Sequence, residues 1–208
     1  MIDLTYMKAI FLLATLKKSP EISNTEALCH LLMQELQKNK VEGEIVKLVE
    51  HNIPPGLKTN MGPGDDWPQI LDKVLASDIL IFATPIWWGI QSSLMQRIIE
   101  RMDELNDELL ETGKSEFANK IGGVVITGAE DGAQHIIGNL CNFMSWNGLT
   151  IPPACSLSFL GWPTADTLDG RLSEMLKKDK KLADNAKVMA GNLSFLANLL
   201  KQNPLPHA

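Results

Sequence analysis

Cysteine, long apolar runs and clusters of positive charge are all scarce in this sequence of 208 residues. Its three cysteines, Cys29, Cys141 and Cys155, are an odd number without Cys-x-x-Cys spacing and lie far apart along the chain. This argues against a disulfide framework, a zinc site and an iron–sulfur cluster, and we expect reduced, buried thiols in a cytoplasmic protein. Residues 7–18 imitate the start of a secretory signal, but the apolar stretch is short and no convincing cleavage site follows it.

Charge is absent from two stretches, one between Asp78 and Arg97 and the other between Asp131 and Asp166. Prolines, glycines and amide side chains interrupt them, so neither supplies the roughly 20 predominantly apolar residues of a membrane-spanning helix. The net charge of −6 and the lack of a Lys/Arg run leave no basic surface of the kind that binds nucleic acid. With 45% hydrophobic residues and no visible boundary, we expect one domain over residues 1–208, without membrane or nucleic-acid partners.

Apolar runs typical of buried strands alternate with amphipathic helices along the chain. The sequence predicts strands over 8–15, 44–49, 78–84, 121–127 and 149–157, with an irregular connection over 52–68 and a solvated acidic segment over 103–116. It predicts a capped helix after Ser23, a short helix over 70–76, and a helix after Ser92 or Ser93 whose apolar stripe continues to Leu109. A further helix is predicted after Gly132. The chain is predicted to close with a long helix whose inward stripe is Leu182, Ala186, Met189, Leu193, Leu196 and Leu200. This alternation implies an α/β fold with a parallel sheet between two layers of helices. Ligands of such sheets bind beyond the carboxyl ends of the strands, which directs attention to the loops after Thr15, Thr84 and Thr127.

The first of these loops places hydroxyls, an amide and two lysines around the N-terminus of a helix. Free backbone N–H groups and the helix dipole favour an anion there, and a phosphate would fit. The alternative is that Ser23 only caps the helix and that the lysines only face water. The loop contains no glycine, so it is neither a Walker loop nor a dinucleotide-binding fingerprint. Gly113-Lys114-Ser115 is not a Walker loop either, because Glu108 stands where the upstream glycine is needed.

The second loop follows a buried strand that ends in Thr84-Pro85, and its sequence Ile86-Trp87-Trp88-Gly89 precedes a helix. Two tryptophans at a ligand edge are suited to lining a flat aromatic ring, while Gly89 lets the backbone approach that ring closely. The alternative is that the tryptophans pack in a core or at a subunit interface.

Taken in order, the three loops resemble those of the flavodoxin-like NAD(P)H-dependent FMN reductases, whose relatives include quinone reductases and iron–sulfur flavoproteins. The resemblance covers about residues 8–155. It consists of a Ser-Asn-Thr-bearing loop after the first strand, Thr-Pro-x-Trp-x-Gly at the end of the third, and a Gly-containing loop after the fourth. It implies a doubly wound, five-stranded parallel sheet of order 2-1-3-4-5 with helices on both faces. The cysteine motif of the iron–sulfur flavoproteins is missing here.

The resemblance also implies a binding site for FMN, with the phosphate in the first loop and the isoalloxazine and ribityl chain between the second and third loops. The implied cofactor-binding residues are Thr15, Lys17, Ser23, Asn24, Thr25, Pro85, Ile86, Trp87, Trp88, Gly89, Thr127, Gly128 and Gly132. No metal is implied, and no residue need act as an obligatory acid or base, because flavin N5 carries the chemistry.

The sequence departs from the family pattern in two of the loops. Lys17 stands where the family often has arginine, and lysine lacks the bidentate fork toward a phosphate, which implies weaker FMN binding. Ala129, Glu130 and Asp131 replace glycines in the third loop. The two acids would lower the reduction potential of a flavin whose pyrimidine edge lies near them; alternatively, they only start the next helix. His135 would either face substrate or be structural.

The leading prediction is a cytoplasmic, FMN-dependent oxidoreductase that transfers hydride and electrons from NAD(P)H through FMN to a quinone or another small acceptor. A homodimer or tetramer is expected, because the Met-bearing stripe after the second loop and the tryptophans would suit a subunit contact that closes the site. Two alternatives stay open: a flavodoxin-like electron carrier for a protein partner, and a flavin-free interaction module of the same fold. A phosphoryl-accepting receiver is disfavoured, because Thr15 and Thr84 end strands where receivers need acids.

Overall fold

Five parallel strands form the central sheet of the computed structural model, which describes residues 6–21, 23–129, 131–161 and 178–206. Within these ranges the strands are β1 (Met7–Leu13), β2 (Val41–Lys47), β3 (Ile79–Trp87), β4 (Ile90–Gln91), β5 (Ile121–Gly128) and β6 (Ser156–Leu160). The helices are α1 (Asn24–Lys38), α2 (Trp67–Leu75), α3 (Ser93–Arg101), α4 (Asp103–Thr112), α5 (Ala133–Trp146) and α6 (Lys180–Gln202), with a 3-10 turn over Leu48–Glu50. The predicted α/β class is confirmed.

The strand order in the sheet is β2-β1-β3-β5-β6, and every neighbouring pair in this order is parallel. Counted over the parallel strands alone, this is the predicted order 2-1-3-4-5. The difference is β4, a two-residue strand that pairs antiparallel with the end of β3 where the sequence predicted only a loop. The order reverses direction between β1 and β3, so a crevice opens at their carboxyl ends, where open α/β sheets bind ligands.

Two apolar cores cover the sheet because its central strands are apolar on both faces. Phe11 and Ile81 belong to the core under α1 and α6, whereas Leu12 and Phe82 belong to the core under α2, α3 and α5. In α6 the predicted inward stripe packs on the first core, and only Leu196 of that stripe is partly exposed. Among the helices in the described part of the chain, none has the length and apolar character needed to cross a bilayer.

The last strand does not lie where the sequence predicted it. It runs over Ser156–Leu160 instead of 149–157, and Thr150 makes only an isolated bridge to Ile121. Pro152 and Pro153 have no backbone N–H to donate, so this segment cannot extend a ladder of hydrogen bonds. Phe159 and Leu160 belong to this strand, and Trp162 lies outside the described residues.

The helix after the second loop also ends earlier than predicted. It stops at Arg101, and α4 forms a separate helix from the acidic segment that the sequence predicted to be solvated. Asp103 and Glu104 lie in the first turn of α4, where acids interact favourably with the helix dipole.

A fully buried arginine anchors the long connection between β2 and α2. The side chain of Arg101 is 0% exposed, and it forms an ion pair with Asp65 at 2.5 Å. The same guanidinium donates to the backbone carbonyls of Pro54, Lys58 and Thr59 at 2.7–3.1 Å. An irregular segment is thereby fixed to α3 by one side chain that the sequence analysis did not identify.

The cysteines are free thiols in two different environments. Cys29 is buried in the core under α1, and this burial raises the pKa of its thiol. Cys141 and Cys155 are distant in sequence but interact in the fold, and burial together with the neighbouring Cys155 raises the pKa of Cys141 to about 11. The prediction of buried thiols is therefore right for Cys29 and wrong for the other two, which are partly exposed.

Candidate functional site

A cavity of about 140 Å³ lies at the carboxyl ends of β1, β3 and β5. All three loops singled out by the sequence contribute to its lining. The lining residues are Thr15, Leu16, Lys17, Ser23, Asn24, Thr25, Pro85, Ile86, Trp87, Thr127 and Gly128. Ten of the predicted site residues therefore meet here, whereas Trp88, Gly89 and Gly132 stand outside the lining; Leu16 is a lining residue that the sequence analysis missed.

The first loop is ordered by hydroxyl groups around the N-terminus of α1. The Ser23 hydroxyl accepts the backbone N–H of Glu26 at 3.4 Å, which is the predicted helix cap. The Thr15 hydroxyl accepts the backbone N–H of Lys17 at 3.2 Å, and the hydroxyls of Thr25 and Thr127 lie 2.7 Å apart. The contact between Thr25 and Thr127 joins the first loop to the third, so the helix N-terminus has a fixed position over the sheet.

Asn24 is the one residue of this group whose side chain leaves a polar atom unsatisfied. Its Oδ1 position is buried and has no hydrogen-bond partner. Buried polar atoms are nearly always paired, and the amide can present either its oxygen or its NH₂ group at that position. An unpaired amide beside the free N–H groups of a helix N-terminus fits a ligand that carries hydroxyl and phosphate oxygens.

The second loop is a tight hairpin rather than an irregular loop. Trp88 and Gly89 both have positive φ, 51° and 81°, as in the two-residue turns that join antiparallel strands. The turn leaves Trp88 90% exposed at the tip, while Trp87 is 48% exposed and lines the cavity. The exposed apolar side chains of Leu16, Ile90 and Leu160 also border this end of the sheet. Of the two tryptophans predicted to line a flat ring, only Trp87 lines the cavity.

Buried hydrogen bonds connect the hairpin to the end of β1. The Thr84 hydroxyl accepts the backbone N–H of Ser92 at 2.9 Å, and the Ser92 hydroxyl donates to the carbonyl of Ala14 at 2.7 Å. The Ser92 hydroxyl also accepts the backbone N–H of Met95 and so caps α3. From the sequence, Ser92 was predicted only as a helix cap. Its bond to Ala14 has no signal in the sequence, because the partners are 78 residues apart.

The third loop touches the hairpin through glycine. A Cβ atom placed on Gly132 would lie 2.6 Å from both the Cα and the carbonyl oxygen of Gly89, and Gly132 has a φ of 131°. At Gly128 an added Cβ would lie 2.8 Å from the Ile86 side chain. The contact between Gly89 and Gly132 therefore packs the third loop against the hairpin, and each of these segments also supplies a lining residue, Gly128 and Trp87.

Asp131 of this loop and His135 do not line the cavity. Asp131 is exposed, and its carboxylate accepts the backbone N–H of Gly132, the N-cap of α5, at 2.8 Å, so Asp131 lies before the helix and not in its first turn. His135 is exposed in the first turn of α5. Glu130 lies outside the described residues, so an effect of its charge on a flavin stays a prediction.

The site therefore has the features that FMN requires. It offers a helix N-terminus and hydroxyl-rich loop for the phosphate, an unpaired amide for a further polar contact, and an aromatic wall at the ring end. Trp87 lines the same cavity as the first and third loops, so all three parts lie at one edge of the sheet.

Comparison with known proteins identifies this architecture. The model of the NADPH-dependent FMN reductase family matches residues 7–162. The 8-demethyl-8-aminoriboflavin-5'-phosphate synthase of Streptomyces davaonensis is 32% identical over 212 residues, covering 95% of this chain and 80% of that protein. The crystal structure of RosB with a bound 8-demethyl-8-formylriboflavin-5'-phosphate intermediate is similar with a TM-score of 0.76 at 25% identity, covering 96% of this chain and 82% of that one.

One further match is restricted to part of a longer protein. The divalent metal cation transporter MntH of Mycobacterium bovis is 35% identical over 159 residues, but the chain spans only 23% of the transporter's length. The family match, by contrast, covers all three loops and confirms FMN and a nicotinamide donor as the predicted cofactors. The chain belongs to the NADPH-dependent FMN reductase family.

Proposed function

We propose that this protein carries electrons from NADPH or NADH through bound FMN to a small acceptor such as a quinone. Membership of the FMN reductase family supports FMN-dependent oxidoreduction. The observation that supports the finer proposal is the cavity itself, in which three loops meet at the carboxyl ends of β1, β3 and β5. Its border of partly exposed Trp87, Ile90 and Leu160 suits the flat, apolar ring of a quinone.

In this proposal each loop has a separate task. FMN, when bound, supplies the redox chemistry, accepting hydride and passing electrons on. The backbone N–H groups of α1, with Thr15, Lys17 and Asn24, bind the phosphate. Trp87 orients the ring and excludes water from one side of it, and the Thr84–Ser92 hydrogen bond holds the hairpin that carries Trp87. No side chain is needed to move a proton for this reaction.

Replacing Trp87 by alanine tests the ring-binding role. We expect Trp87→Ala to weaken FMN binding about tenfold, because a stacked aromatic contact contributes about 0.5–1.5 kcal/mol in addition to the apolar area that it buries. The measurement is an FMN titration of the flavin-free protein together with steady-state oxidation of NADPH and NADH with a quinone.

Trp146→Ala is the matched control, because Trp146 is 72% exposed on α5, away from the cavity. Its FMN affinity and turnover should stay within about twofold of those of the natural protein, since an exposed side chain contributes little to folding or binding. Purified, FMN-loaded protein that oxidises neither nicotinamide with any acceptor would refute the proposed reaction. If such a protein still exchanged single electrons with a protein partner, its function would be that of an electron carrier.

A second candidate function is chemical modification of FMN, with the flavin as substrate instead of cofactor. It is favoured by the similarity to the 8-demethyl-8-aminoriboflavin-5'-phosphate synthase, which extends over 95% of this chain. Mass spectrometry of the flavin released after aerobic incubation with FMN and an amino donor separates the two functions. An unchanged flavin mass supports the cofactor role, and a new mass that grows with time supports modification.

The predicted homodimer or tetramer is part of the same proposal. Leu160 and Ile90 are 50% and 52% exposed beside the cavity, so a second subunit that covers them would also close the site. Sedimentation that shows a monomer at assay concentration would contradict this. The cytoplasmic location stays a prediction.

A further inference from the structure

A buried lysine lies behind the first loop, outside the cavity lining. Lys47 ends β2, and its side chain is 7% exposed. Its Nζ lies 3.2 Å from a carboxylate oxygen of Glu26 and 4.0 Å from one of Glu50. It also donates to the Ser19 hydroxyl and to the carbonyl of Glu21, both at 3.4 Å. One ammonium group therefore connects β2, the 3-10 turn, the first loop and the first turn of α1.

Glu26 places a negative charge in the helix turn where the flavin phosphate would bind. It directly follows Thr25, which lines the cavity, and it lies in the first turn of α1. A carboxylate at this position is attracted to the positive end of the helix dipole, as a phosphate would be, and the two like charges repel each other. Because the Glu26 side chain is only 27% exposed, water screens this repulsion incompletely.

Glu50 is the more distant partner of Lys47 and is engaged elsewhere. Its carboxylate accepts the backbone N–H and the hydroxyl of Ser19 at 3.1 and 2.5 Å. These two hydrogen bonds lower the pKa of Glu50, so it stays charged at neutral pH and holds the first loop against the 3-10 turn. Glu26 is consequently the carboxylate whose charge Lys47 balances most directly.

We propose that Lys47 is a positioning residue for the flavin phosphate. Its ammonium group neutralises Glu26 and so allows the N-terminus of α1 to bind a dianion. This rests on the proposed function, because it assumes that FMN binds at the cavity. Lys47 acts through Glu26 and does not itself touch the flavin. Lys47 should therefore affect the binding of FMN but not that of riboflavin, which has the same ring but no phosphate.

The test is a titration of flavin-free protein with FMN and with riboflavin. We expect Lys47→Met to raise the Kd for FMN about tenfold, because an uncompensated carboxylate then lies in the helix turn that would bind the phosphate. The Kd for riboflavin should change by less than about twofold, because riboflavin has no charge at that position. Glu26→Gln should lower the Kd for FMN about threefold, and the double variant Lys47→Met/Glu26→Gln should return it to within about threefold of the natural value.

Lys73→Met is the matched control, because Lys73 is paired with Glu44 at 2.6 Å but lies on the exposed surface away from the cavity. It should leave both titrations unchanged, and circular dichroism should show that every variant is folded. The proposal is overturned if the double variant binds FMN as weakly as Lys47→Met, since Lys47 would then act only by holding the loop. It is equally overturned if Lys47→Met weakens riboflavin as much as FMN. Natural protein that binds neither flavin would instead refute the proposed function.

Discussion

Arg101→Met is expected to lower the free energy of unfolding by about 3–5 kcal/mol, the cost of leaving a buried charged partner alone. All five N–H groups of the guanidinium are used, by Asp65 and by the carbonyls of Pro54, Lys58 and Thr59. Methionine fills the space of the stem but leaves the three carbonyls without their donors, and the Asp65 carboxylate keeps only the backbone N–H groups of Met61 and Trp67. Urea unfolding followed by circular dichroism measures the loss, and the thermal midpoint should fall by about 10 °C.

Arg97→Met is the matched control for this prediction. Arg97 lies one helical turn earlier on α3 and makes a single hydrogen bond to the carbonyl of Ile53 at 3.1 Å, on the same long connection. Its removal should cost only about 1 kcal/mol, the usual contribution of one hydrogen bond. The proposed anchoring role of Arg101 is refuted if the two variants unfold at the same urea concentration.

The ion pair between Arg101 and Asp65 also makes the stability of the fold depend on pH, with less stability at acidic pH. Burial alone would raise the pKa of Asp65, but hydrogen bonds from Arg101 and from the backbone N–H groups of Met61 and Trp67 lower it below its usual value. A carboxyl with a lowered folded pKa stabilises the fold above its unfolded pKa of about 3.9 and loses this contribution as the pH falls through the folded value. The difference in the free energy of unfolding between the natural protein and Arg101→Met should therefore have its full value above about pH 4 and become smaller below it.

The sheet could be predicted from the sequence because hydrophobic periodicity is a local property. The run over 78–84 is apolar at every position but its ends, and the structure confirms a central strand buried on both faces there. The boundaries at 149–157 were predicted wrongly, since a local apolar pattern does not show which backbone N–H groups pair. Pro152 and Pro153 gave a partial warning, because they favour an irregular or edge segment.

Long-range polar pairs could not be predicted in the same way. Asp65 and Arg101 are 36 residues apart, and nothing in either neighbourhood distinguishes them from surface charges. Lys47 and Glu26 are also distant along the chain, and they meet only because β2 lies beside α1 and the first loop. The candidate site was accessible to prediction because strand order alone brings its loops together, whereas these supporting contacts depend on the three-dimensional fold.

Gly132→Ala is expected to weaken FMN binding at least tenfold and to destabilise the protein by about 1–3 kcal/mol, the usual cost of a strained backbone conformation. The new Cβ would lie 2.6 Å from the backbone of Gly89, so the hairpin or the third loop must move. Both are backbone segments and neither yields as a flexible side chain would. Because Trp87 stands in the same hairpin, its displacement would open the ring end of the cavity. FMN titration and NADPH turnover measure the effect.

Two other glycine variants distinguish the steric contact from backbone strain as the cause of this effect. Gly138→Ala lies in α5 with open space around the added Cβ, so it should leave FMN binding unchanged and stabilise the helix by about 0.5–1 kcal/mol. Gly89 also has a positive φ, but a Cβ added there would lie 3.9 Å from its nearest neighbour, the Asp131 carbonyl oxygen, so Gly89→Ala tests backbone strain without the steric contact. If Gly89→Ala weakens FMN binding less than Gly132→Ala, the contact between the two loops shapes the site. If Gly132→Ala binds FMN as the natural protein does, the wall formed by the hairpin and third loop is not part of the flavin site, and the cavity must be completed from another direction.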